Sequence, residues 1–341
     1  MTLGARLGDH PIWKITNRHP SNLPGQRFFA GRISATSYEN HRSHRICLSR
    51  ISSLAAISSA TFLASLAYSQ TVIPWNGVVN NAAAENWGTA LNWTGANIPD
   101  SSTEQADFRK DWTGTVPTLT LNADYAINGI LFADTGASAD IALSINAGNT
   151  ITLAGTAPLL QIDGSTLTLN GPLAGSTAWA KTGAGILNLL DNNASLTGAT
   201  TIKGSAFAST GGTVNLGSAT VATEAIAGSS AVTVGNSAVL TLINTTGNLD
   251  RIGNTVPVNL TLGGALTLTH NAAVNTTETI GALNLIACSG TVSVSSAASR
   301  VTTLAAPSFN RGTAFATALV RGTSLSQAVG TNSHRTLGGH G

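Results

Sequence analysis

Histidines and paired carboxylates, from which most hydrolytic sites are built, are sparse in the patterned part of this 341-residue chain. Behind residue 70 only His270, His334 and His340 remain, the last two in an aperiodic stretch. Serine is abundant, but no G-x-S-x-G elbow occurs and His270 is the sole candidate base, so a serine–histidine relay has no support. Without an H-E-x-x-H, paired cysteines or a G-G-x-G-x-D nonapeptide, no metal or cofactor is expected. Thr182-Gly-Ala-Gly185 lacks the lysine–serine sequel and the helix that a phosphate loop requires. The carboxylates that could serve a polysaccharide lyase or hydrolase are Asp124, Asp134, Asp140, Asp163 and Asp191, with Lys181 and Lys203 the only bases between Lys110 and Arg251. Such sites need two or three carboxylates on one face with a base beside them. No D-D or D-x-D pair is present, and turn roles explain Asp134, Asp140 and Asp163. The chain is expected to be no enzyme, a glycan-cleaving site being the alternative.

Indoles form the other chemical grouping. Trp75, Trp87, Trp93 and Trp112 fall within 38 residues. Flat indole faces can stack on sugar rings, which would make this segment a glycan contact. The alternative is a cap whose indoles plug the open end of a repeat core, since an exposed last coil is an aggregation-prone edge. The cap is preferred over residues 70–117.

These groups must be positioned by strands. Thr118-Leu-Thr-Leu-Asn122, Thr166-Leu-Thr-Leu-Asn-Gly171, Ile186-Leu-Asn-Leu189, Thr213-Val-Asn-Leu-Gly217, Val239-Leu-Thr-Leu242 and Ala265-Leu-Thr-Leu268 alternate apolar and small polar residues, the period of a half-buried strand. Gly, Asn, Asp and Ser punctuate the gaps as turns would. The fold class is therefore all-β. Polar residues suited to stacked ladders, few aromatics and a core of Ala, Val, Leu and Ile favour a right-handed parallel β-solenoid over a β-sandwich. Residues 118–306 would form eight or nine coils at about 20–25 residues each, and 307–341 an irregular tail.

Composition places the molecule outside the cytosolic norm. Charged residues are 9%, against about 25% in ordinary domains. Residues 1–50 hold eight basic and two acidic residues, leaving nine basic against thirteen acidic, or −4, for the rest. The basic balance thus belongs to the leader, and nucleic acid is not an expected partner. Residues 1–44 read as a basic leader, disordered or a gene-model artefact. Residues 45–69 have the form of a signal peptide: a basic flank, the apolar run Ile51–Ala67 and small residues at its end. Cleavage after Ala67 or Ser69 would leave no membrane span in the mature chain, and Cys288 alone, without an intramolecular disulfide. An exported, extracellular or cell-surface location follows.

Lys181-Thr-Gly-Ala-Gly-Ile-Leu-Asn-Leu189, followed by Asp191 through Gly204, resembles the autotransporter-associated β-strand repeat, approximately K-T-G-x-G-x-L-x-L, an Asn-containing turn, then Y-x-G-x-T-x-V and a glycine. The matched positions are Lys181, Thr182, Gly183, Gly185, Leu187 and Leu189, with Gly198 and Gly204 in the second half. Leu196 stands where tyrosine is usual, and Asp191 replaces a turn glycine. Asn86-Trp87, Asn92-Trp93, Pro99 and Ala106-Asp107-Phe108 look like the start of large exported repeat proteins of this type, and Glu278 through Leu285 like their ending. The resemblance implies a β-helical surface protein, often bacterial, and no catalytic activity. Longer members continue into more repeats, a membrane β-barrel or a sorting tail. The polar, patternless end beyond residue 322 reads as a truncation or frame shift, or as a short secreted form. Adhesion or surface-layer structure is the expected use, with an extracellular glycan or cell-surface material as partner.

Overall fold

The computed structural model describes residues 70–76, 85–112, 118–135, 143–204, 211–217, 226–243, 251–269, 273–296, 300–312, 315–322 and 336–337. The leader 1–44, the export signal 45–69, Asp140 and all three histidines behind residue 70 lie outside them.

Strands of two to seven residues follow one another in a fixed order, first sheet, second sheet and, on some coils, a third face. The first sheet stacks Thr71–Pro74, Glu104–Lys110, Gly129–Asp134, Leu159–Asp163, Trp179–Thr182, Thr200–Lys203, Val232–Gly235, Val258–Thr261, Leu283–Ala287 and Phe309–Arg311. The second stacks Glu85–Asn86, Thr118–Leu121, Leu143–Ala147, Thr166–Leu169, Ile186–Leu189, Thr213–Leu216, Val239–Ile243, Gly264–Thr269, Ser289–Val294 and Thr317–Gly322. Every neighbouring pair of named strands is parallel. This is a β-solenoid: the strands of each coil pair with those of the coil before and after it. A sandwich of hairpins would have paired its strands antiparallel. Ten strands at about 4.8 Å make a stack on the order of 43 Å long.

Alternation decides which side chains enter the core. In the second sheet Leu167, Leu187, Val214, Leu240, Leu266 and Val292 stand over one another, as do Leu169, Leu189, Leu216, Leu242, Leu268 and Val294. All twelve are buried. Branched aliphatic chains suit this interior because they pack at van der Waals distance and carry no polar atom that needs a partner. Outside, the ladder runs Thr168, Asn188, Asn215, Thr241, Thr267 and Ser293. Asn215 Nδ2 donates to Asn188 Oδ1 at 2.8 Å, and Asn188 Nδ2 to Thr168 Oγ1 at 3.0 Å. A second ladder joins Asn310, Asn284 and Asn259 through Nδ2–Oδ1 bonds of 2.8 Å.

Spacing is more regular than the strand phrases suggest. Thr213, Val239, Ala265 and Thr291 occupy one column at 26-residue intervals, whereas Thr166 and Ile186 are 20 apart. The connections between the strands absorb the difference. Paired strands also run past both ends of 118–306. Thr71–Pro74 and Glu85–Asn86 already belong to the two sheets, and so do Phe309–Arg311 and Thr317–Gly322. The third face comprises Tyr125–Ile127, Ile151–Leu153 and Leu173–Ala174 near one end, and Thr276–Thr279, Thr302–Ala306 and Thr336–Leu337 near the other.

Leu240 is fully buried between Val214 and Leu266. Leu240→Ala is expected to cost about 2–5 kcal/mol, and the outward neighbour Thr241→Ala under about 1 kcal/mol. Guanidinium unfolding of the two variants followed by circular dichroism checks the difference, and equal costs would contradict the assignment of faces.

Candidate functional site

Three of the four clustered indoles, Trp75, Trp87 and Trp93, form one buried knot around Phe108, and Trp112 lies buried against Phe132 at 6.4 Å. Trp75, Trp87, Trp93 and Trp112 are each at most 4% exposed. Trp75 and Trp93 meet edge-to-face at 4.8 Å between ring centroids, Trp87 and Trp93 at 5.1 Å, and Phe108 lies 5.4–5.7 Å from Trp75, Trp87 and Trp93. These T-shaped and tilted contacts satisfy the ring quadrupoles. Three indole N–H groups find backbone acceptors: Trp87 donates to Pro99 O (3.1 Å), Trp93 to Trp87 O (2.7 Å) and Trp112 to Phe108 O (3.1 Å). None of these four buried indoles offers a face to a sugar ring. The knot adjoins the start of the aliphatic column Ile73, Ala106, Ile130 and Leu160, so the cluster fits a cap.

Lys181, the first residue of the repeat motif, points inward. Its column runs Leu160, Lys181, Ile202, Val234, and the side chain is fully buried. The ammonium donates to Gly183 O (2.8 Å) and Gly185 O (2.5 Å), clamping the turn that leads from the first sheet into the second. A side chain on Gly212 would strike Nζ at 1.9 Å, so the chain above can cross only as glycine. Burial pushes Lys181 down to about 8 from its ordinary 10.5, opposed by the charge of Asp163.

The other motif glycines sit where neighbouring coils approach closely. Gly183 has φ +84° and passes so close to Ile162 O that a Cβ would meet it at 2.2 Å. Gly185, Gly198 and Gly204 similarly face the backbone of Ser165, Thr177 and Asn236. Thr182 is half-buried and Leu187 and Leu189 fill the core columns. Leu196, at the tyrosine position, is buried and bridges to Gly175. Asn193 holds the turn to the previous coil by accepting from Leu173 N at 2.6 Å.

The carboxylates mostly serve turns. Asp124 Oδ1 accepts from Thr150 N (2.7 Å), Asp134 Oδ1 from Trp112 N (3.3 Å) and Asp191 Oδ1 from Asn192 N (2.7 Å). Stacking does bring charges together in one place that spacing could not show. Asp107 grips Arg109 through Nε (2.8 Å) and Nη2 (2.9 Å). Arg109, Ala133 and Asp163 share a column on the outward face of the first sheet. The guanidinium pKa is held above its ordinary value by the bonds to Asp107 and then by the charges of Asp107 and Asp163, against burial. Asp163 Oδ2 accepts from Gln161 Nε2 at 2.5 Å. Among the described residues no cluster of three His, Cys, Asp or Glu could hold a metal ion.

Two charged core residues escaped the reading of the chain. Glu278 accepts from Arg251 N (2.9 and 3.1 Å) and Ile252 N (2.9 Å), and Arg251 Nε donates to Ile243 O (2.9 Å). Both are fully buried. Alternation carried the signal for one of them, since Thr276, Glu278 and Ile280 all fall on the inward face. Cys288 is no free thiol here. The expectation of a lone cysteine applies to a chain cleaved behind its signal, and Cys47 lies outside the described residues.

The fold and the cap define the class as a parallel β-solenoid closed at one end by aromatic packing. No family model matches the chain and no solved structure matches it. It is similar to a curated protein, the adhesin BmaC autotransporter of Brucella suis biovar 1 (strain 1330), at 35% identity over 98 residues. That stretch is 29% of this chain and spans about 2% of the length of the adhesin. The likeness and the solenoid together fit a β-helical protein of the autotransporter type. Among the described residues no helix is long and apolar enough to cross a membrane.

Two measurements follow from this geometry. Tryptophan emission of the chain is expected to be blue-shifted, weakly quenched by acrylamide and unchanged by soluble polysaccharides; strong quenching relieved by one glycan would contradict the cap. For Lys181, the unfolded chain keeps its proton between about pH 8 and pH 10.5 while the folded chain has released it. Stability therefore rises with pH across that window and this contribution is flat below it. The rise in urea midpoint should vanish in Lys181→Met; persistence in that variant would assign it elsewhere.

Proposed function

We propose that the chain is an exported, non-catalytic β-helical rod displayed outside the cell, where it serves adhesion or surface structure. The carrying observation is the outward face of the second sheet. From Thr118 to Ser295 its described side chains are Thr, Ser, Asn, Ile, Val and Ala, with not one charge across eight successive coils. Lyases and hydrolases need converging carboxylates, whereas a display surface needs a regular neutral lattice of hydroxyl, amide and methyl groups. The likeness to an adhesin autotransporter supports the same reading. In this reading residues 45–69 direct export, residues 70–117 cap the rod, residues 181–204 are one autotransporter-associated repeat, and the partner is an extracellular glycan or cell-surface material.

The Asp107–Arg109–Asp163 grouping favours one second reading, a β-helix that binds or cleaves a polysaccharide. Both readings are tested by expressing the full chain with its own leader in a Gram-negative host. Antibody labelling of intact cells and increased retention on glycan- or matrix-coated surfaces are expected, with no release of reducing ends from a polysaccharide panel. A product confined to the cytosol would overturn the display reading, and reducing-end release lost in Asp163→Asn would establish the second.

A further inference from the structure

The first strand of the solenoid is preceded by a residue whose side chain is built into the fold. Thr71 N donates to Thr103 O at 2.9 Å and opens the first sheet. One residue earlier, Gln70 Oε1 accepts from Gln105 Nε2 at 2.6 Å. Gln105 is 5% exposed, and its amide nitrogen also donates to Asn128 Oδ1 at 3.2 Å. Asn128, itself 1% exposed, spends its own amide nitrogen on Ala154 O (3.2 Å) and Thr156 O (3.1 Å). This chain of amides crosses three successive coils of the first sheet. Removing Gln70 would leave a buried N–H of Gln105 without its acceptor, which is destabilising. Trimming of the mature chain must therefore stop at or before Gln70.

We propose that Gln70 is the amino-terminal residue of the exported protein and is closed there to a pyroglutamyl lactam. The proposal rests on the export reading above and selects between its two cleavage positions, the bond after Ser69 leaving nothing ahead of the residue that the fold holds. Cleavage frees the α-amine of Gln70. Its nitrogen attacks Cδ of the same residue, the N–Cδ bond forms and the Cδ–Nε2 bond breaks. Nε2 departs as ammonia with the proton released by the attacking amine. No oxidant, reductant or second substrate is needed. Oε1 survives as the lactam carbonyl, and it is the atom that receives the 2.6 Å bond from Gln105. A donor at that oxygen stabilises the negative charge that develops there during attack, which makes Gln105 a positioning residue for the ring closure. What the ring forfeits is the long 3.4 Å contact from Gln70 Nε2 to Thr156 O. Closure also abolishes the α-ammonium, which would otherwise titrate near about pH 8 beside the edge strand Thr71–Pro74, and removes the free amine that aminopeptidases require.

The test uses the full chain expressed with its leader and recovered from the exported fraction. N-terminal peptide mass spectrometry should find a peptide that begins at Gln70 and has lost one ammonia. Edman degradation should give no signal until pyroglutamyl aminopeptidase is added, after which it should read Thr-Val-Ile-Pro. The variant Gln70→Asn cannot form the five-membered lactam and should yield a readable free terminus at the same position. A mature terminus at Tyr68, or a Gln70 that keeps a free amine on prolonged incubation, would overturn the inference while leaving export intact. A chain recovered only uncleaved from the cytosol would overturn the export reading, and this inference with it.

Discussion

Every feature of this molecule depends on one constraint: each residue of a coil stands directly over its counterpart in the next. Parallel backbone bonds between coils impose that register, and side chains then repeat along the axis at the strand spacing of about 4.8 Å. Like is set on like, which favours groups that interact well with copies of themselves. Leucine on leucine packs a dry column. Asparagine on asparagine can donate and accept in turn, as Asn310, Asn284 and Asn259 do. A charge stacked on its own kind would be repelled; the described outward side chains of the second sheet carry none from Thr118 to Ser295, and in the first sheet Lys110 stands over Asp134 rather than over another cation.

The same constraint explains how the few buried ions are tolerated. Lys181 does not face another cation; its column neighbours are Leu160 and Ile202, and its ammonium turns aside to two glycine carbonyls. Glu278 is satisfied by two backbone N–H groups rather than by solvent. In both cases the ion replaces hydrogen bonds that a corner of the coil cannot make within its own backbone. A buried charge left without such partners would cost several kcal/mol. The core columns of the second sheet stay aliphatic, while Lys181 in the first sheet and Glu278 on the third face stand in inward strand positions and are satisfied by backbone groups of the adjoining turns.

Much of the architecture was legible in the residues because alternation is a local signal. Thr-Leu-Thr-Leu and Ile-Leu-Asn-Leu assign their own faces, and the parallel arrangement followed from composition and from the ladder-forming side chains. The Trp cap was legible as a choice between two environments, which burial resolves. The inward placement of Lys181 was written in Trp179-Ala180-Lys181, where alternation seats the lysine beside a core indole, but the ordinary solvation of lysine argues the other way. Contacts between coils were not legible at all. Asp107, Arg109 and Asp163 become neighbours only because the connections between them take a particular length, and the Gln70–Gln105–Asn128 relay joins three coils whose spacing is uneven. The 26-residue column from Thr213 to Thr291 was hidden by the uneven steps ahead of it, 20 residues from Thr166 to Ile186 and 27 from Ile186 to Thr213.

That column carries a genetic consequence. Within it the second-sheet core repeats from coil to coil, with Val214, Leu240, Leu266 and Val292 standing over one another. Unequal recombination that removed or duplicated one 26-residue unit would bring matched aliphatic surfaces back into contact and change the reach by about 4.8 Å, provided it kept the coil of Arg251 beside that of Glu278. No comparable exchange is open at the tryptophan end, where Trp75, Trp87, Trp93 and Phe108 each pack against two or more other rings. The molecule thus combines a terminus that must be inherited whole with a shaft whose length selection is free to adjust.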